Sequence, residues 1–342
     1  MAHRAGPKAI EVIDFNSRWY NRAMNRRTLL FAPAAIAGLG LGAEAAPIPI
    51  IDTHIHLFDP TRPQGVPWPD KHDTVLYKPA LPERYRRVTT GLGIVGAIEV
   101  ECSPWLEDNQ WVLDVAAKDT IIVGTVGDLE PGKADFREHL ERFHRNPLFR
   151  GIRNGNLWNR DFRAELSRRD FISDLKALAD AGLELDSANP DPALIEDLVR
   201  LTDRVPTLRV VVDHLPQLEP PRDSQARNVY ESNLRELGER PQVYVKVSEV
   251  LRRVGGRVPT DLNFYKPRLD EIWEIFGEDR LLFGSDWPNS DLWGTYPQVL
   301  SVVREYFSGK GEAVAEKFFW KNSVAAYRWV KRQPSQPSAV SG

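Results

Sequence analysis

The sequence predicts a single-domain α/β protein folded as a closed (β/α)8 TIM barrel, and three observations carry that prediction. Eight short apolar segments recur between residues 48 and 288, most of them followed by apolar residues at three- and four-residue spacing. Strands that alternate with helices pair in parallel through right-handed crossovers. An open doubly wound sheet, the competing arrangement, usually carries a glycine-rich first turn, and none follows the first segment here.

The strands are expected at 48–58, 94–103, 120–129, 149–156, 182–188, 208–215, 243–250 and 281–288. Between and after them, amphipathic helices are expected at 109–118, 135–144, 170–181, 192–202, 227–237, 264–276 and 297–306. Gly182 stands where the helix over 170–181 needs a C-terminal cap. The connection over 59–93 holds Pro60, Pro63, Pro67, Pro69, Pro79 and Pro82, with Trp68 and Tyr77. A loop of that length reads as a lid or binding element.

The flanks differ from the domain, which is expected to span 47–332. Residues 1–46 carry Arg26-Arg27-Thr28-Leu29-Leu30, a short apolar run over 29–41, and Ala43-Glu44-Ala45. Positive end, apolar core and small-residue cleavage site, in that order, make a signal peptide. The paired arginines before two leucines resemble a twin-arginine export signal. The expectation is a periplasmic or secreted protein, free of the membrane once the signal is cleaved. Met24 lies immediately before this element and offers a second start. The tail over 333–342 is Pro/Ser-rich and is expected to be disordered.

Composition narrows the partners. The 342 residues are 42% hydrophobic and 27% charged, with a formal net charge of −3. No basic excess points to nucleic acid, so the expected partner is a small molecule, an acidic one included. The single cysteine, Cys102, excludes an intrachain disulfide and reads as a small buried strand residue. Nothing in the pattern speaks to oligomeric state.

Barrel enzymes place their chemistry at the C-terminal ends of the strands, and the polar residues there form a coherent set. Asp52, His54 and His56 alternate along the first strand and are expected on one face. Asp286 ends the eighth strand, which neighbours the first in a closed barrel. Two imidazoles and a carboxylate can grip a divalent ion, zinc above all, and leave a position open for water. Glu101, on the face of Glu99, is the third candidate ligand, and Asp52 is expected to orient a histidine from behind. Asp286 is the candidate base. His214 is a candidate ligand or catalytic group, and Lys246 a candidate for polarising a carbonyl, binding a substrate carboxylate or neutralising Asp286 and Glu101. Asp213 is expected to face outward. Arg153 offers a planar fork for a carboxylate. Asn156, Trp158, Asn189 and Trp287 follow strand ends and are expected to line a substrate pocket.

These motifs resemble the amidohydrolase superfamily, in its amidohydrolase-related branch of lactonase-like barrels, over residues 48–330. The resemblance rests on Ile51-Asp52-Thr53-His54-Ile55-His56, Phe149-Arg150-Gly151-Ile152-Arg153, Val212-Asp213-His214-Leu215 and Phe283-Gly284-Ser285-Asp286-Trp287-Pro288. It implies a hydrolase that opens a cyclic ester with metal-activated water. The superfamily's bridging ligand on the fourth strand and its histidine on the fifth have no counterpart here, which implies one ion rather than two. Some members of the branch work without metal, so a metal-free mechanism stays open. Relatives often have Gly where Glu249 stands. Three other functions remain open: a metal-dependent non-oxidative decarboxylase, an amide or phosphoester hydrolase, and a non-catalytic exported sugar-binding barrel.

Overall fold

A computed structural model describes residues 47–332; the expected signal segment and tail lie outside the described residues. The strands are β1 (Ile50–Ile55), β2 (Ile94–Val100), β3 (Ile122–Gly127), β4 (Phe149–Gly155), β5 (Glu184–Ala188), β6 (Arg209–Val212), β7 (Val243–Val247) and β8 (Leu281–Phe283). They pair in parallel in chain order, as sequential βα units must. The ring closes just beyond β8, where Asp286 N donates to His54 O at 2.8 Å and His56 N to Trp287 O at 2.7 Å.

Around the strands run α1 (Pro82–Thr89), α2 (Leu106–Lys118), α3 (Phe136–His144), α4 (Phe162–Leu166), α5 (Arg169–Asp180) and α6 (Pro192–Arg204). They continue with α7 (Ser224–Glu239), α8 (Leu262–Phe276), α9 (Tyr296–Ser308), α10 (Glu312–Glu316) and α11 (Asn322–Tyr327). All seven expected helices are present. The connection over 59–93 is not only a loop: it contains α1, which begins on Pro82 and buries Tyr85. Among the described residues, no helix is long and apolar enough to cross a membrane.

Two apolar layers show which way each strand residue turns. Ile51, Ile98, Val100, Val123, Val211, Tyr244 and Leu282 pack together inside the barrel, closed off by Ala326 and Tyr327 of α11. Ile55, Ala97, Ile152, Leu185, Val210, Val245 and Phe283 pack outward against the helices. Inward Ile98 and Val100 force Glu99 outward, toward α2. In β1 the pairing slips between Asp52 and Ile55. Ile51 and His54, three apart, therefore both face inward, while Asp52 does not share their face.

Asp52 instead fastens the closure. Its carboxylate accepts from Ser285 N (2.8 Å), Ser285 Oγ (2.6 Å), Tyr85 Oη (2.9 Å) and Tyr296 Oη (2.8 Å). It also accepts from the His54 backbone at 3.2 Å, so it orients the strand rather than the imidazole. Gly284 allows this tight join, since a Cβ there would lie 2.9 Å from the His54 Cβ and 3.2 Å from the Ser248 Cβ.

Candidate active site

Four strands leave the barrel through left-handed residues: Asn189 after β5 (φ 50°), His214 after β6 (φ 50°), Glu249 after β7 (φ 48°) and Asp286 after β8 (φ 59°). Such conformations are disfavoured for residues with a side chain and cluster at functional sites. Here they swing the His214 and Asp286 side chains in beside those of β1. His56 Nε2 lies 3.1 Å, His54 Nε2 3.5 Å and His214 Nε2 4.0 Å from Asp286 Oδ1.

The donor set fits a cation. His56 Nδ1 lies 2.7 Å from the carbonyl of Val100, which can only accept, so Nδ1 carries a proton. In the neutral ring Nε2 then presents a lone pair to a carboxylate oxygen, an arrangement that wants a positive centre between them. His54 Nε2 is buried with no hydrogen-bond partner. Its Nδ1 lies 3.6 Å from Asp213 Oδ1 and 3.2 Å from Lys246 Nζ. The ammonium can only donate to Nδ1, whereas the carboxylate can only accept from it, and it is the tautomer with its proton on Nδ1 that leaves on Nε2 the lone pair a ligand needs. Among the described residues, ligand atoms of His54, His56 and Asp286 lie within 4.8 Å of one another, as do those of His214, Glu249 and Asp286.

Electrostatics keep this cluster reactive. Burial holds His54 well below the ordinary histidine range, and the Lys246 charge adds to it. Burial likewise brings His214 down to about 4, so both rings are neutral near pH 7. Burial opposes ionisation of Asp286, but the surrounding His214, His56 and His54 outweigh it and hold the group well below the usual carboxylate range. Asp286 is thus a ready anion.

Beneath the cluster lies a buried charge network. Lys246, fully buried, contacts Asp186 and Asp213, the latter at 3.0 Å. Asp213 also takes Arg153 Nε at 3.0 Å, and Tyr327 Oη donates to Asp186 at 2.8 Å. Two expectations are corrected here. Asp213 faces inward because it alternates with inward Val211 while Val212 packs against the helices; the left-handed turn brings His214 in beside it. Lys246 does not reach the cavity; its amine neutralises carboxylates under the histidines rather than polarising a substrate carbonyl.

Above the cluster opens a cavity of about 630 Å³, lined by His56, Arg153, Trp158, Asn189, His214 and Asp286 among others. Asn156 stands behind Asn189, with each side-chain amide donating to the other's backbone carbonyl at 3.0–3.2 Å. Trp287 does not line the cavity, contrary to expectation. It is fully buried against Tyr85, with ring centroids 5.3 Å apart. Glu101 is not brought into the cluster either. It turns outward with Glu99 into a separate recess behind β2 and accepts from Ser103 N (2.9 Å) and Trp158 Nε1 (3.2 Å).

Trp68, from the connection expected to be a lid or binding element, lines the cavity, and Glu249 and Asn289 line it without having been assigned to it from sequence. Trp68 of the long connection sits edge-on to His56, with centroids 5.7 Å apart. Alternation from inward Ser248 sends Glu249 outward; only its left-handed backbone reverses that. Asn289, three residues past Asp286, was the signal available.

Comparison with known proteins agrees with this geometry. Residues 51–329 match the amidohydrolase family model. L-fucono-1,5-lactonase of Burkholderia ambifaria is 29% identical over 251 residues, 72% of this chain and 82% of that one. L-fucono-1,5-lactonase of Burkholderia multivorans is 27% identical over 285 residues, 80% and 94% of the two chains. A zinc-bound amidohydrolase from Burkholderia multivorans superposes with a TM-score of 0.71 at 22% identity, covering 82% of this chain and all of that one. With a barrel built as expected and a histidine–aspartate cluster at its mouth, the chain belongs to the amidohydrolase family.

Proposed function

We propose that this protein is a lactonase that opens a cyclic ester of a sugar acid, using one divalent ion held by His54, His56 and Asp286. The observation that carries the reading is the convergence of two imidazole nitrogens, one of them unpartnered, on one anionic carboxylate at the floor of an open cavity. The lactonase names of two relatives support the bond type. Such an ion, zinc by the donor chemistry, supplies Lewis-acid polarisation of an ester carbonyl and acidification of water.

The chain's own groups do the rest. Asp286 takes the proton of the attacking water at a carboxylate oxygen. His214, its Nδ1 set by Ser248 Oγ at 2.8 Å, is placed to relay a proton to the leaving alkoxide. Arg153 lines the cavity beside this imidazole, 3.4 Å from His214 Nε2. Trp68 and Trp158 exclude water from the sides of the ring.

Metal analysis of the purified chain, paired with a lactone panel followed by acid release, tests this. About one ion per chain and turnover lost on chelation are expected. Carbon dioxide release without acid release would replace lactone opening by decarboxylation. Residues 1–46 are proposed to export the folded enzyme to the periplasm or beyond. Retention in the cytoplasm after replacing Arg26 and Arg27 with lysines is the expected result.

A further inference from the structure

Glu249 has no step in the reading above, yet it faces the same cavity, with a carboxylate oxygen within 4.8 Å of ligand atoms of His214 and Asp286. It holds a left-handed backbone at φ 48°, a conformation uncommon for a long side chain. Asn289 Nδ2 donates to Glu249 Oε1 at 2.9 Å and to Asp286 Oδ2 at 2.6 Å, tying the rim to the reacting end. The Glu249 carboxyl also lies against Asp286 itself, and the Asn289 side-chain carbonyl is not used in that link. On the facing wall, the side chain of exposed Asn189 adds an amide to the lining.

Cationic recognition is weak by comparison. Arg153 is the only lysine or arginine among the described lining residues. Its Nε is bound to Asp213 at 3.0 Å, and its terminal nitrogens lie 3.4 Å from the Glu101 carbonyl and from His214 Nε2. A carboxylate on the substrate would find that fork already engaged, with carboxyl groups at Glu249 and Asp286 nearby.

We infer that Glu249, with Asn289, reads substrate hydroxyl groups, so that the cavity selects uncharged polyhydroxylated lactones over bare or carboxylate-bearing ones. This rests on the lactonase reading and specifies its substrate class. A rim built to hydrogen-bond a hydroxyl discriminates strongly, because its own polar groups are left unpaired by an analogue that lacks one.

The test compares wild type, Glu249→Gly and Glu249→Gln on δ-gluconolactone, δ-valerolactone and a carboxylate-bearing pyrone. Wild type is expected to favour δ-gluconolactone over δ-valerolactone in kcat/KM. Glu249→Gly is expected to shrink that preference about tenfold or more, and Glu249→Gln, which keeps an acceptor oxygen, to restore most of it. Glycine suits the left-handed backbone, so a folding defect is not expected; the thermal midpoint is measured alongside. Equal losses on both lactones, or an unchanged preference, would overturn the inference, as would a wild-type preference for the pyrone. Wild type that opens none of the three would instead remove the lactonase reading, and this one with it.

Discussion

Two buried acidic clusters sit within one strand of each other and do opposite things. At the mouth of β1 and β8, Asp286 is ringed by three imidazoles and stays anionic. Behind β2, Glu99 and Glu101 share a recess with Asp108, and burial pushes Glu99 well above the ordinary carboxylate range. Burial also pushes Glu101 up to about 8, with the Asp128 charge adding to it and Arg153 opposing it. The same residue type becomes a base or a neutral packing group according to what faces it. Proximity to the barrel mouth alone does not make a carboxylate functional.

The sharpest way to break this contrast is to neutralise one member of each cluster. Asp286→Asn keeps the shape but removes the anion, and turnover is expected to fall at least about a thousandfold with folding intact. An unchanged rate would eliminate Asp286 as the base. Glu101→Gln is expected to leave turnover within a few-fold of wild type. A loss as deep as that of Asp286→Asn would return Glu101 to the ligand set.

The charge network under the histidines gives the next largest effect, on stability. Lys246→Met leaves Asp186 without its ammonium partner and Asp213 with Arg153 and the His54 ring. Breaking a buried pair on one side costs about 3–5 kcal/mol, to be read as a lower urea midpoint. Asp186→Asn in the Lys246→Met background should recover part of it, because the orphaned charge is gone. No recovery would mean that the lysine acts by packing.

What could be read from the sequence, and what could not, follows from the same local geometry. Alternation located the strands, and closure of the ring brought His54, His56 and Asp286 together across 230 residues of chain. Alternation failed where the backbone departs from it. The slip after Asp52 left that residue on the helix side, and left-handed turns brought His214 and Glu249 inward, whereas Asp213 follows the inward face set by Val211. Glu99 and Glu101 were misplaced because Ile98 and Val100 occupy the interior. Trp287 looked like a pocket wall, but its ring fills the space over Tyr85 instead. A slip or a positive φ leaves little trace in residue identity when the residue is not glycine.

A smaller effect sharpens the comparison through pH. Glu101 titrates near 8 when folded, above its ordinary value of 4.5, so the folded chain holds this proton more tightly than the unfolded one. Its contribution is complete below about pH 4.5 and is lost as pH rises through 8, with a slope near 1.4 kcal/mol per pH unit. Glu101→Gln removes that slope. Urea midpoints at pH 5 and pH 8 should separate further in wild type than in the variant. Parallel behaviour would mean that Glu101 is ionised throughout.

The smallest expected effect asks whether the seam between β1 and β8 positions the base. Ser285 Oγ donates to Asp52 at 2.6 Å and accepts from Trp287 N at 3.0 Å, on either side of Asp286. Ser285→Ala removes both bonds but leaves Asp52 its two tyrosine hydroxyls and the Ser285 backbone amide. The stability loss is therefore expected to be about 1–2 kcal/mol. If the seam also sets the angle of Asp286, kcat falls several-fold while KM holds, because Arg153, Trp158, Asn189 and Glu249 of the cavity lining come from other strands. A change in KM alone would show instead that the hydroxyl shapes the cavity. In that case the Asp52 seam would belong with the packing cluster behind β2 and not with the base.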